Sequence, residues 1–318
     1  MATSRARMSK SSSNDADEAV GCMAPGLSRL LRMTAATPLR RLLLAAALGA
    51  ITIGSTFARA DEMPKVFRPC IDPSNLPFAN TRGEGFENHI ADLFAKELGL
   101  PVQNYAFPQR MNFIRNTLRY RLPGEDFRCD IVMSVPAGYD QTSATTPYYR
   151  STYMLVYPKG KGLDQIQVGA DLFALPPDAR GKLRIGVYDR SPGSTWLARH
   201  GLEDQVMLYP IMSPDPEQYP GEIIERDLAQ GKIDAAIVWG PIAGYYAKRV
   251  HNVELVLVPL KSEPGVQFDY AIAMGVRYGE PQWKQTVEKL ITDNQAAITQ
   301  ILRDYNVPIV NERGDLVP

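Results

Sequence analysis

The chain has 318 residues, with 35 Lys or Arg against 35 Asp or Glu, so its formal net charge is zero. The balance is uneven: residues 1–60 hold eight basic and three acidic side chains, which leaves 27 against 32, a net of −5, for residues 61–318. A mildly acidic body without a basic stripe excludes a nucleic-acid-binding role, and its 258 residues suffice for two buried cores.

Arg40-Arg41, an apolar run from Leu42 to Phe57 and then Ala58-Arg59-Ala60 follow the order of a secretory signal, with cleavage expected after Ala60. The run contains Gly49, Thr52, Gly54, Ser55 and Thr56, so a cleaved leader is the better reading than a retained membrane span. No span is expected in the mature chain, which should be periplasmic or extracellular. Arg40-Arg41 is too isolated to assign twin-arginine export. The polar preface of residues 1–32 is not needed for export, and Met33 would start a leader of ordinary length.

From residue 66 onward strands alternate with helices. Val66–Asp72 reads as a first strand, and Pro73 and Pro77 fix the loop after it. Gly83-Glu84-Gly85 precedes a helix with Phe86, Ile90, Leu93, Phe94 and Leu98 on one face, closed by Gly99. A strand over Val102–Phe107, a helix over Arg110–Arg121 and a strand over Asp130–Val135 follow.

The run Thr152–Tyr157 reads as a strand leaving the first lobe, and Pro158-Lys159-Gly160-Lys161-Gly162 marks a boundary. A second unit has strands Leu183–Val187 and Val206–Ile211, a helix starting at Ser194-Thr195-Trp196, a turn at Ser213–Pro216 and a helix over Glu222–Gln230. Ile233–Trp239 is a short apolar run, and Gly240-Pro241 opens a helix after it, which together read as a buried parallel strand turning into a helix. Val253–Leu260, Phe268–Val276 and one long closing helix from Trp283 to Leu302 complete the chain. This order predicts an α/β fold of two lobes with two chain crossovers and a central cleft. Lobe 1 is expected from 61–158 and 262–318, and lobe 2 from 159–261.

That order, behind a leader, resembles the two-lobed periplasmic solute-binding proteins. It resembles the amino-acid receptors at Cys70-Ile71-Asp72, Leu76-Pro77-Phe78, Gly85-Phe86-Glu87, Thr146-Pro147-Tyr148-Tyr149, Gly193-Ser194-Thr195 and Ile233-Asp234-Ala235-Ala236. Those receptors hold the ligand carboxylate with an Arg and its amino group with an Asp. The corresponding positions here fall near Gly138-Tyr139 and at Trp239 or Gly240. Without both charged anchors a desolvated cleft cannot offset the charges of an amino acid.

A narrower resemblance rests on Asp72–Phe78, Gly83–Asn88, Phe107–Arg110, Arg115–Leu118, Cys129-Asp130, Val135–Gly138, Pro147–Thr152 and Val238–Tyr246. Together these look like the MxaJ and XoxJ family of binding-protein-like accessory proteins. The resemblance implies a periplasmic helper in the assembly or activation of a PQQ-dependent methanol or alcohol dehydrogenase. Its implied partners are that dehydrogenase and its cytochrome c. An importer's receptor for a small ligand other than an amino acid is the alternative.

Ligands of open α/β sheets sit at the carboxyl ends of strands, which selects the candidate cleft residues. Asp72, Asn75 and Phe78 follow the first strand, Glu84 precedes the first helix, and Arg110 stands at a strand-to-helix turn. Tyr148 offers a stacking ring, Ser194 and Thr195 a helix start able to bind an anion, and Trp239 and Gly240 the end of the strand. Each has a plainer reading: Trp239 and Tyr148 as core aromatics, Arg110 as a solvated cation, Ser194 and Thr195 as helix caps.

No catalytic residue is expected, because His89, His200 and His251 are scattered and metal-ligand spacings are absent. No cofactor or metal is expected either. Cys22 leaves with the leader, and Cys70 and Cys129 remain. If Asp72 and Val135 end adjacent parallel strands, the two cysteines are offset by four residues, about 13 Å, which is beyond bridging distance. Export favours a disulfide, but this register predicts two buried free thiols.

Overall fold

The computed structural model describes residues 64–109, 112–211 and 219–318. The expected leader with its Met33 start and Ala60 cleavage, the turn at 213–216, and Arg110 lie outside those residues.

β1 (Cys70–Ile71), β2 (Ser74–Asn75) and β3 (Ala79–Asn80) lead into α1 (Phe86–Leu98). β4 (Tyr105–Ala106), α2 (Phe113–Asn116), β5 (Val132–Pro136), β6 (Ser143–Ala144) and β7 (Tyr149–Pro158) follow. The middle of the chain forms α3 (Asp171–Ala174), α4 (Pro177–Arg180), β8 (Ile185–Tyr188), α5 (Pro192–Arg199), β9 (Val206–Tyr209), β10 (Ala235–Trp239), α6 (Gly240–Arg249) and β11 (Leu255–Pro259). β12 (Asp269–Val276), α7 (Pro281–Asp293) and α8 (Gln295–Asp304) close it.

The strands run in the order β5-β12-β7-β10-β8-β9, with β6 added to β12 and β11 to β7. β8, β9 and β10 are parallel, whereas β7 runs antiparallel to both β10 and β12. β7 serves two sets of partners along its ten residues. Tyr149–Thr152 pair with β12, and Tyr153–Val156 pair with β10. Its two ends therefore join different cores. One core gathers Phe67, Phe86, Phe94, Met133, Trp283 and Leu302. The others gather Leu155, Trp196, Ile237 and Phe268, and Val156, Ile224, Val238 and Tyr246.

α1 starts where the pattern predicts, for reasons visible in its first turn. Gly85 is the N-cap, and Asn88 Oδ1 accepts from the Gly85 N–H at 3.1 Å. The Phe86 and Glu87 N–H groups donate to the Pro77 and Phe78 carbonyls at 2.9 and 2.8 Å. A Cβ on Gly85 would lie 2.0 Å from the Phe78 carbonyl oxygen, so only glycine permits this contact. Gly99, at φ 65°, caps the other end.

Several expected elements are shorter. Pro69 interrupts the first strand and leaves isolated pairings of Phe67 with Val102 and Pro69 with Ile131 around the two residues of β1. The expected closing helix breaks at Asn294, whose φ of −112° and ψ of 16° divide it into α7 and α8. The helix expected from Glu222 is a wider π-helical turn over Ile223–Leu228.

The expectation of free thiols is corrected: Cys70 and Cys129 form a disulfide with their Cα atoms 5.3 Å apart. A four-residue offset requires the strand that ends at Val135 to run straight back through residue 129. Pairing with the first strand instead begins at Ile131, and the chain bends at Arg128 and Asp130. That bend returns Cys129 to Cys70. The Asp130 N–H donates to the Arg68 carbonyl at 2.7 Å.

Asp130 itself sits in a buried ion network. It accepts from Arg68 Nε and Arg277 Nη2, each at 2.7 Å, and Arg277 also pairs with Glu280 at 2.6 Å. The Trp283 indole N–H donates to the Asp130 carbonyl at 3.1 Å. The network joins the start of the β5 segment to β12 and α7.

Candidate functional site

A cleft of about 830 Å³ opens beside the carboxyl ends of β1, β5, β8, β9 and β10 and the starts of the antiparallel β7 and β12. One wall comes from the loop after β1, the start of α1, β5 and the start of β7, and it includes Asp72, Asn75, Phe78, Glu87, Ser134 and Tyr149. The lining also includes Tyr188, Ser191, Tyr209, Glu222 and Arg226, together with Trp239, Tyr153 and Tyr270.

The expected site residues divide. Asp72, Asn75, Phe78 and Trp239 line this cleft together. Asp72 accepts from the Ser74 N–H at 2.9 Å and from the Gln109 N–H, and Asn75 Nδ2 donates to Gln109 Oε1 at 3.0 Å. Both thus tie the end of β1 to the segment after β4. Trp239 caps α6 and stands between Tyr153 and Tyr270, with ring centroids 5.3 and 5.8 Å away.

Glu84, Tyr148, Ser194, Thr195 and Gly240 are not among the lining residues. Glu84 is exposed and pairs with Arg82 and Asn80. Tyr148 is buried, donating to the Met133 carbonyl at 2.9 Å and contacting Ser134 Oγ at 3.1 Å. Ser194 Oγ donates to the Ser191 carbonyl at 2.7 Å, and the Ser194 and Thr195 N–H groups point to the same carbonyl. Those groups are consumed by the first turn of α5. Gly240 allows α6 to start against β7, where a Cβ would lie 2.4 Å from the Thr152 carbonyl oxygen.

The cleft also holds residues the sequence reading did not select: Glu87, Ser134, Tyr149, Tyr153, Ser191 and Tyr270. Glu87 lies in the Gly85-Phe86-Glu87 motif, but nothing local marks it as a cleft residue. Its burial comes from β5 and β7, which arrive from elsewhere in the chain. At 8% exposure it is a desolvated carboxyl. Burial raises it from the ordinary 4.5 to about 7, Ser134 opposes the rise, and the Asp72 charge adds to it. The hydroxyls of Tyr149 and Ser191 are buried without a hydrogen-bond partner. Arg226, the one Lys or Arg among the described lining residues, is held by Glu222 and by Asp227 Oδ1, the latter at 3.0 Å.

Glu87 makes stability depend on pH with a definite sign. The unfolded chain releases this proton near pH 4.5, whereas the folded chain holds it to about pH 7. Stability from this group is complete below the first value and lost as pH rises through the second. Glu87→Gln is therefore expected to be more stable than the native chain at pH 8, by about 3 kcal/mol, with no such gain at pH 4. Thermal melts at the two pH values check this, and an equal difference at both would contradict the assignment.

Among the described residues no group of three or more His, Cys, Asp or Glu is placed to hold a metal ion. No helix among them is long and apolar enough to cross a membrane. The cleft lining combines aromatic rings, carboxylates and hydroxyls.

No family model matches the chain. It is 34% identical to the periplasmic binding protein XoxJ from Methylobacterium extorquens AM1, with a TM-score of 0.62, over 78% of this chain and all of that one. MxaJ from Methlophaga aminisulfidivorans MPT has the same fold, with 21% identity and a TM-score of 0.65 over 77% of this chain and all of that one. Protein MoxJ of Paracoccus denitrificans is 25% identical over 262 residues, 76% of this chain and 88% of its own length. The fold is that of the two-lobed periplasmic solute-binding proteins.

Proposed function

This chain belongs to the MxaJ and XoxJ family, and on that premise we propose that it is a periplasmic accessory protein of a PQQ-dependent methanol or alcohol dehydrogenase. It assists that enzyme's assembly or activation and uses the binding-protein fold as an interaction module. The observation that carries this reading is the 34% identity to XoxJ over that chain's whole length. The aromatic cleft supports it, since the position at which the amino-acid receptors carry a charged anchor falls at Trp239 or Gly240 in this sequence. We place lobe 1 over 61–158 and 262–318 and lobe 2 over 159–261, with the first chain crossing just after β7. The working surface is the cleft.

Affinity purification of residues 61–318 from native periplasm, with mass spectrometry of proteins and small molecules, tests this. A quinoprotein dehydrogenase or its cytochrome c is expected to co-purify. A stoichiometric small molecule without either would instead favour an importer's receptor, the second reading, for which the buried unpartnered hydroxyls of Tyr149 and Ser191 speak.

Trp239→Ala is expected to keep the fold and abolish the association, because the ring is half-buried and lines the cleft. A collapse in thermal stability would assign Trp239 to the core instead.

A further inference from the structure

We propose that the cleft recognises one organic cation, a protonated amine or guanidinium on an apolar body, with Glu87 as its counter-ion and the Tyr149 hydroxyl as a neighbouring acceptor. The inference rests on reading the cleft as the working surface. Glu87 and Tyr149 are 8% and 7% exposed, and both line the cleft. A desolvated carboxylate needs a positive partner. Among the described residues none forms an ion pair with Glu87.

The groups that face Glu87 deepen the deficit. Asp72, from the loop after β1, is a second negative charge, Ser134 on β5 is neutral, and Tyr148 and Tyr149 at the start of β7 are neutral phenols whose ionisation Glu87 opposes. Elsewhere in the cleft Glu222 adds a third carboxylate, and Arg226 is already engaged with it. The lining favours the same ligand class: Trp239, Tyr153 and Tyr270 are aromatic, and aromatic rings attract cations and cover apolar groups. An anion would meet the carboxylates of Glu87 and Asp72, neither of which is paired with a cation among the described residues. A neutral ligand would leave the Glu87 charge uncompensated above pH 7.

The cation can belong to a free amine or to a Lys or Arg side chain on a partner's segment. Isothermal titration of residues 61–318 at pH 6 and pH 8 separates the two. The probes are benzylammonium with benzyl alcohol as its neutral counterpart, and acetyl-Phe-Lys-Phe-amide with its norleucine counterpart. A cationic probe is expected to bind about tenfold more tightly at pH 8 than at pH 6, because Glu87 must ionise first. Glu87→Gln, which removes a buried charge and keeps the shape, should weaken that binding at least tenfold at pH 8.

Binding by benzylammonium alone assigns a free amine, and binding by the lysine peptide alone assigns a chain segment. Binding by both shows that the site reads their shared group. Failure of both cationic probes, neutral counterparts that bind equally well, or affinity indifferent to pH and to Glu87→Gln overturns the proposal. A cationic probe that binds while no dehydrogenase depends on the chain would remove the accessory reading alone. Failed probes with that dependence intact would remove only this inference.

Discussion

Asp130→Ala is expected to destabilise the fold by about 3–5 kcal/mol, because it breaks a buried ion network, taking from Arg68 its carboxylate partner and leaving the buried Arg277 with Glu280 alone. Arg277 is only 9% exposed and donates to the Leu118 and Cys129 carbonyls as well as to Asp130, so it cannot turn to solvent. Its guanidinium also lies over the Phe127 ring, 4.2 Å from the centroid. Urea unfolding of residues 61–318 measures the loss. A loss below about 1 kcal/mol would mean that the network is worth no more than an exposed pair.

Removing the Cys70–Cys129 bridge should have an effect of similar size. The bridge closes a loop across a sequence separation of 59, for which chain entropy gives about 4 kcal/mol. The double Cys→Ala variant is therefore expected to melt at a markedly lower temperature, and alkylation of the unreduced native chain should add no mass at either residue. Two alkylated thiols in the exported protein would contradict the bridge. The disulfide sits at the edge of the cleft, since Cys70 lines it. It fastens β1, which Asp72 directly follows, to the segment that leads into β5 and Ser134.

The cleft wall around Trp239 was legible in the sequence because its signals are local. An apolar run, a tryptophan and Gly240-Pro241 specify a strand that turns into a helix, and β10 and α6 meet there. α1 was legible for the same reason, from an apolar face bounded by Gly85 and Gly99. The disulfide was not, because the pairing distance depends on a bend over 128–130 that no strand register contains.

Glu87 illustrates the same limit at the site. On its helix it is an ordinary first-turn carboxylate, suited to the positive end of the helix dipole. Only the arrival of Ser134 and Tyr149, 47 and 62 positions along the chain, desolvates it. Ser194 and Thr195 show the converse. Their residue types suit an anion site, but the Ser191 carbonyl takes both N–H groups and the Ser194 hydroxyl. The unpartnered hydroxyl in that turn is Ser191 instead.

The central claim is that a quinoprotein dehydrogenase depends on this chain through its cleft. The most direct measurement is PQQ-dependent methanol dehydrogenase activity in the native host after deletion of the chain, then after its return as the native form or as Trp239→Ala. The account predicts that activity falls on deletion, recovers with the native chain and does not recover with a folded, exported Trp239→Ala chain. Activity unchanged by the deletion would contradict it.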